Sequence, residues 1–314
     1  MAQVCTAVIA EYQHSNPTLR IETQAGGNIE TFGTILEAHR MGAPTINAGY
    51  FNADSSARGD SADLWLPLDP RRIPNMKDVF PSFRRAADRG VGWGMSPIGI
   101  VYRTDLVDRP PRSWLDLLDP HYSGRVAVAD APLLHFNGLL AINRLLGGTE
   151  NDADLGLRAF TEAARSGQFG ARFRVSSELK APLLRGDVWM AAYLKADISP
   201  WQREGAPLAF VVPVEGQIAF PLFLQILRGS DNYQIRHSEA LLDRLLSSER
   251  LAEQATLTGI VPAKTVPLPR VLSEDPAYSP VHVANAWQLD WSAIAANSAS
   301  WQERWERDIK PYIG

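Results

Sequence analysis

The stretch "GWGMSPIGIVYR", residues 92–103, decides the fold. It sets a tryptophan between two glycines and then, past Pro97, enters an alternating apolar run through Ile98, Ile100 and Tyr102. Alternation of period two is the pattern of a strand, and the glycines remove Cβ atoms where something must approach the backbone closely. A second long apolar strand is expected over Phe220 to Leu227. Neither has a helix immediately on one side, so the pair reads as two extended passages between separate globules. Working outward, "APTINAGYFNAD" holds a short strand ending at Tyr50 and Phe51. "GRVAVAD", "DVWMAAYLKAD" and "PLAFVVPVEGQIAF" hold others. Helical periodicity fills "VCTAVIAEYQ", "LLHFNGLLAINRLLGG", "DADLGLRAFTEAARSG" and "SEALLDRLLSSERLAEQATLTG". One more short strand is expected over Leu19 to Thr23, followed by a Gly26-Gly27 loop and a helix from near Thr31. Short strands punctuated by helices predict an α/β fold whose parallel sheets are covered on both faces. A cleft between two lobes is the usual place for a ligand.

The totals narrow the function. The chain has 314 residues, 45% of them hydrophobic, enough for a large core and a length suggesting about two domains. The formal charge of −4 comes from interspersed signs, leaving no basic stripe for a phosphate backbone, so no nucleic-acid partner is expected. No apolar run approaches the roughly 20 residues that span a bilayer, and Met1 to Cys5 are too short and polar for a signal-peptide core. Cys5 is the only cysteine; it excludes an internal disulfide and is read as a buried structural thiol. The histidines, at 14, 39, 121, 135, 237 and 282, show no metal-ligand spacing, so no metal is expected. "QAGGN" carries only a glycine pair, too little for a dinucleotide fingerprint, and no cofactor is expected. The "RGD" at residues 58–60 reads as a chance loop sequence.

Several stretches together resemble one family. "WGMSPIG" is similar to a Trp-Gly-x-Thr-x-x-Gly segment, and "RSWLDLLDPHYSGRVAVAD" to a Ser-Trp-x-Asp-Leu signature running through Asp-Pro-x-Tyr-x-Gly into a strand. "VPVEGQIAF" is similar to a Pro-x-Glu-Gly turn, "LLDRLLSSERLAEQATLTGIVPA" to a helical segment ending in Gly-x-x-Pro, and "LDWSAIAANSASWQERWERDI" to a closing helix. In this order, from about residue 64 to 308, they resemble the type II periplasmic solute-binding proteins of ABC importers, in the branch that holds polyamine-binding proteins. The resemblance implies a two-lobed periplasmic binding protein type II fold with two hinge crossings. Lobe one would be residues 1–100 with 227–314, and lobe two residues 101–226. It further implies a periplasmic, monomeric receptor, its leader absent from the given chain, that closes about its solute and is read by a membrane permease. Family members carry a further strand before their first helix; here that strand is absent or disguised.

By its own pattern Trp93 is either a core aromatic or a ring lying against a ligand. The resemblance favours the ligand role, with Ser96 offering a hydroxyl beside it. Tyr50 and Phe51 correspond to aromatics at the cleft edge, and Tyr193 and Phe220 fall where polyamine binders stack tryptophans on their ligand. Asp130 and Glu215 lie nearby in sequence, as ligand contacts or else as a helix cap and a turn residue. Polyamine binders hold ammonium groups with two carboxylates whose positions correspond here to Leu134 and Leu222. A buried ammonium that loses its carboxylate costs about 3–5 kcal/mol, so classical polyamines are disfavoured. Aromatic walls suit an amine, a quaternary amine held by cation–π attraction, or a heterocycle. No enzyme is expected. The rivals on the same fold are a thiaminase-like protein, for which Cys5 is the only possible nucleophile, and a cytosolic sensor, for which no helix-turn-helix precedes residue 20.

Overall fold

The computed structural model describes residues 2–24, 28–130 and 137–314. The chain opens with α1 (Ala2–His14) and α2 (Asn28–Arg40), then β1 (Ala48–Asn52), α3 (Ala53–Ser61), β2 (Trp65–Leu66) and β3 (Val91–Arg103). Next come β4 (Val126–Ala129), α4 (Asn137–Leu145), α5 (Asp154–Arg165), β5 (Phe169–Phe173), α6 (Ser176–Arg185), β6 (Met190–Leu194), α7 (Lys195–Arg203) and β7 (Leu208–Val211). β8 (Ile218–Leu227), α8 (Asn232–Leu245), α9 (Ser248–Thr258), β9 (Val261–Pro262), α10 (Arg270–Ser273), α11 (Pro280–Ala284) and α12 (Trp291–Arg304) complete it. The strand expected over Leu19 to Thr23 does not form: that segment enters no strand pairing, and an unpaired extended segment leaves its backbone groups to other partners. The Gly26-Gly27 loop lies outside the described residues.

Two compact units divide the chain. The first holds residues 1–96 and 220–284, the second residues 97–219 and 285–314. Two of the passages between them lie at 96/97 inside β3 and at 219/220 inside β8, four and seven residues before the expected boundaries at 100/101 and 226/227. A third passage, at 284/285, corrects the expectation that everything after residue 227 belongs to the first lobe. The reason is packing. In the closing segment Trp305 donates its indole N–H to Asp130 at 2.7 Å and lies tilted against Phe160, with ring centroids 6.5 Å apart. Arg304 donates to Asp154 at 2.9 Å. Earlier in the segment, Trp287 exchanges backbone bonds with Gln217 and Ala219.

In the first unit β8 is the backbone of the pairing. β1 runs antiparallel to it, with Tyr50 opposite Leu224 and Phe51 opposite Phe223, and β2 continues with Trp65 opposite Leu227. β9 pairs with the start of β3, Gly94 facing Pro262. α2 seals one side: Phe32, Ile35 and Leu36 pack with Phe51, Leu64, Trp65 and Leu227. The helical segment after β8 reads cleanly from its punctuation. Asp231 and Gln234 form a reciprocal capping box at the start of α8. Gly259 ends α9 at a φ of +76°, left-handed backbone that a side chain would resist. That requirement accounts for the glycine of "TGIVPA".

In the second unit β4 runs parallel to both β5 and β6. β6 and β7 are antiparallel to the later half of β3. The all-parallel expectation therefore holds only for β4, β5 and β6. β3 enters this unit as the continuation of a strand begun in the other, so its direction is not set by a helical crossover.

Candidate functional site

The first unit offers a strand end. β1 stops at Asn52, whose side chain accepts from the Ser55 backbone N–H at 2.9 Å and starts α3 at once. Tyr50, two residues earlier on the same strand face, is half-buried, its ring tilted at 45° against Trp93 with centroids 5.1 Å apart. Burial raises its hydroxyl's pKa, and the Cys5 thiol adds to the effect. Among the described residues that hydroxyl has no hydrogen-bond partner. Phe51 does not join it. Adjacent strand residues face opposite ways, and Phe51 is committed to the Phe32 and Trp65 cluster, 4.9 Å from the Trp65 ring. The expected Tyr50–Phe51 pair is therefore one candidate and one core residue.

Trp93 answers the question its glycines raise differently from the ligand reading. The residue is 0% exposed, and its indole N–H donates at 3.2 Å to the carbonyl of Leu245, the last residue of α8. Helix ends leave such carbonyls unpaired, so Trp93 caps α8 while its ring supports Tyr50. The glycines admit protein rather than solute. A Cβ at position 92 would lie 2.6 Å from the Phe83 Cβ, and one at position 94 would lie 2.6 Å from an Ile260 methyl carbon and 2.7 Å from the Val261 carbonyl oxygen. Ser96 and Phe220 are both buried in strands, next to two of the three passages between the units. Leu222 is buried opposite Asn52 in the β1–β8 register, while Leu134 lies outside the described residues.

Sequence reasoning passed over α3's first turn. Asp54 is only 8% exposed, yet among the described residues its carboxylate accepts no hydrogen bond, the Arg58 guanidinium standing 3.9 Å away. Burial holds its pKa above the ordinary carboxylate value, with Arg58 opposing. The next residue, Ser55, has a buried hydroxyl with no partner among the described residues. The available signal was an acidic residue two places after a strand-end asparagine, which resembles any helix start favoured by the dipole.

The second unit gathers the carboxyl ends of β4, β5 and β6, the edge at which open α/β sheets place ligands. Tyr193, on β6, is buried, packs edge-on against Phe173 at 5.2 Å and shares a 2.7 Å hydrogen bond with Ser176 at the start of α6. Ser176 in turn donates to Asp197 in α7 at 2.6 Å. Burial, with Asp197 beside it, raises the Tyr193 pKa. Asp130 follows β4 and is engaged on both oxygens: one accepts from Trp305, the other from Arg172, with Lys310 at 3.9 Å. Glu215 accepts from the Ser113 hydroxyl and, at 3.4 Å, from the Trp114 N–H, while the Trp114 indole donates to Gly216 O at 2.9 Å. The Ser-Trp and Pro-x-Glu-Gly motifs thus meet each other. The acids expected as ligand contacts, Asp130 and Glu215, are fasteners of the second unit's own fold.

Among the described residues no group of three or more His, Cys, Asp or Glu side chains could hold a metal ion, and no helix is long and apolar enough to cross a membrane. Burial pushes the Cys5 thiol up to about 11, leaving it protonated at neutral pH, whereas a cysteine nucleophile acts as the thiolate.

Comparison with known proteins agrees with this architecture. A relative in Sinorhizobium fredii, named a probable ABC transporter periplasmic-binding protein, is 27% identical over 275 residues, covering 79% of this chain and 68% of that one. The fold is similar to that of an ABC transporter from Clostridium perfringens, with a TM-score of 0.80 at 18% identity, covering 98% of this chain and 96% of the other. It is also similar to the spermidine/putrescine substrate-binding protein PotD of Streptococcus pneumoniae, with a TM-score of 0.76 at 17% identity and 95% of each chain covered. Residues 7–280 match the family described as bacterial extracellular solute-binding protein. With that match spanning most of its length, the chain belongs to the bacterial extracellular solute-binding family.

Proposed function

We propose that this protein is the periplasmic receptor of an ABC importer, capturing a small organic amine, quaternary amine or heterocycle and delivering it to a membrane permease. The observation that carries the solute class is Asp54, a carboxylate removed from water without a hydrogen-bond donor among the described residues. Its position invites a cation: Arg58 offsets the buried charge only across 3.9 Å and without a hydrogen bond, and a ligand ammonium would remove more of the burial cost. Tyr50, propped on Trp93, supplies an aromatic face and a hydroxyl close in sequence, and aromatic faces attract organic cations. In the second unit Ser176 and Asp197, backed by the buried Tyr193, form a polar strand-end group of their own.

PotD binds spermidine and putrescine by its name. Here the return-strand position is Leu222, and Asp130 is already satisfied by Arg172 and Trp305. A long polyamine would meet the apolar Leu222 where it needs a second carboxylate on the return strand, so a compact monoamine is the better guest. A thermal-shift screen over monoamines, quaternary amines, thiamine-like heterocycles and polyamines tests this, since a solute that binds only the folded protein raises its melting temperature. The expected result is a monoamine or quaternary amine shift that Asp54→Asn abolishes. A largest shift from spermidine or putrescine would overturn the solute class, and no shift from any amine in wild type would remove the role given to Asp54.

A further inference from the structure

A partly open pocket of about 170 Å³ lies in the first unit beside β9, with no α3 residue in its lining, and its walls include Phe80, Val261, Leu268, Val283 and Lys264. Lys264 is 4% exposed. Its ammonium has one hydrogen-bond acceptor among the described residues, the Asn75 carbonyl at a long 3.3 Å, although an ammonium carries three donors. Asp78 and Asp243 act on it only at a distance, and burial draws its pKa down. The nearer claim on Asp243 is the Asn75 backbone N–H, at 2.9 Å. A buried cation with unmet donors in the wall of a pocket that also has an apolar side, formed by Phe80, Val261, Leu268 and Val283, calls for an anion with an apolar body. A phosphate would press its remaining oxygens against Phe80 and Leu268; a carboxylate has a single charged head. Allowing about 15 Å³ for each water-sized site, the space accommodates a molecule of benzoate's size.

We propose that this pocket is a second ligand site of the protein, taking a small carboxylate whose head meets Lys264 and whose apolar body rests against Phe80, Val261, Leu268 and Val283. It is independent of the solute reading above. Isothermal titration of the full chain with benzoate, isovalerate and the neutral isostere benzamide tests it, using wild type, Lys264→Met and Ser273→Trp. Ser273 is an exposed lining residue, so a tryptophan there covers the mouth without entering the core. Wild type is expected to bind a carboxylate at least about tenfold more tightly than benzamide, the worth of one charge-assisted hydrogen bond. Lys264→Met should erase that preference, and Ser273→Trp should weaken every ligand with an unchanged circular dichroism spectrum. Carboxylate binding untouched by Ser273→Trp, a preference that survives Lys264→Met, or no binding at about 10 mM, beyond the millimolar range, overturns the proposal.

Discussion

Replacing Trp93 separates a supporting role from direct contact with solute. The ring is wholly out of water, and truncating such a residue to alanine costs about 3–5 kcal/mol through lost burial and the cavity left behind. Set against a total stability of about 5–15 kcal/mol, that is a third or more of what holds a domain together. Trp93→Phe keeps most of the apolar body but leaves the Leu245 carbonyl without its donor, a loss of about 1–3 kcal/mol for a buried acceptor. Guanidinium unfolding followed by circular dichroism should therefore order the proteins wild type, Trp93→Phe, Trp93→Ala, with Phe roughly midway. Solute titration on the same samples supplies the second reading. Because the ring supports Tyr50, Trp93→Phe should weaken binding by no more than about tenfold, or 1.4 kcal/mol. A Trp93→Phe protein of wild-type stability that no longer binds solute would refute this reasoning and return Trp93 to the ligand surface.

Three further outcomes follow from the same contacts. Asp130→Ala strips acceptors from Trp305 and Arg172 and should cost about 3–5 kcal/mol, as breaking a buried pair does; Asp130→Asn, which can still accept from Trp305, should cost visibly less by thermal unfolding. Glu215→Gln weakens the link from the Pro-x-Glu-Gly turn to Ser113 and Trp114 and should lower stability by about 1 kcal/mol without changing solute affinity; an affinity loss at constant stability would restore Glu215 as a contact. Asp54→Asn should raise the melting temperature at neutral pH, because a carboxyl with a raised pKa penalises the folded state while it is charged. The penalty fades as pH falls through the folded-state pKa and is gone below the ordinary value of 3.8, so the two melting curves should converge there; a wild type more stable than Asp54→Asn at neutral pH would contradict the sign.

Much of the fold was legible because alternation and helical periodicity are local. β3 and β8 announced themselves as long apolar strands, and α8 and α9 through their caps and glycine. What failed was whatever depended on partners distant in sequence. Nothing near residue 300 says that Trp305 will seek Asp130, so the closing segment was assigned to the wrong unit. Glu215 and Ser113 are 102 positions apart; each motif pointed to the family, but only their meeting gives the glutamate its task. Phe51 was a local error, since strand alternation already forbids it the face of Tyr50. Asp54 was invisible for the opposite reason: an aspartate in a first helical turn is ordinary until its burial is known.

The interleaving of the two units also constrains how the protein is made. The first remains incomplete until residue 284 has been added, and the second lacks its sealing tryptophan until residue 305 arrives. Neither core can close early in synthesis, in contrast to domains built from consecutive sequence, which fold one after another as they emerge. The nascent polypeptide must therefore stay unclosed until about residue 305 has been added, and removing residues 285–314 would open a globule whose other segments were finished long before.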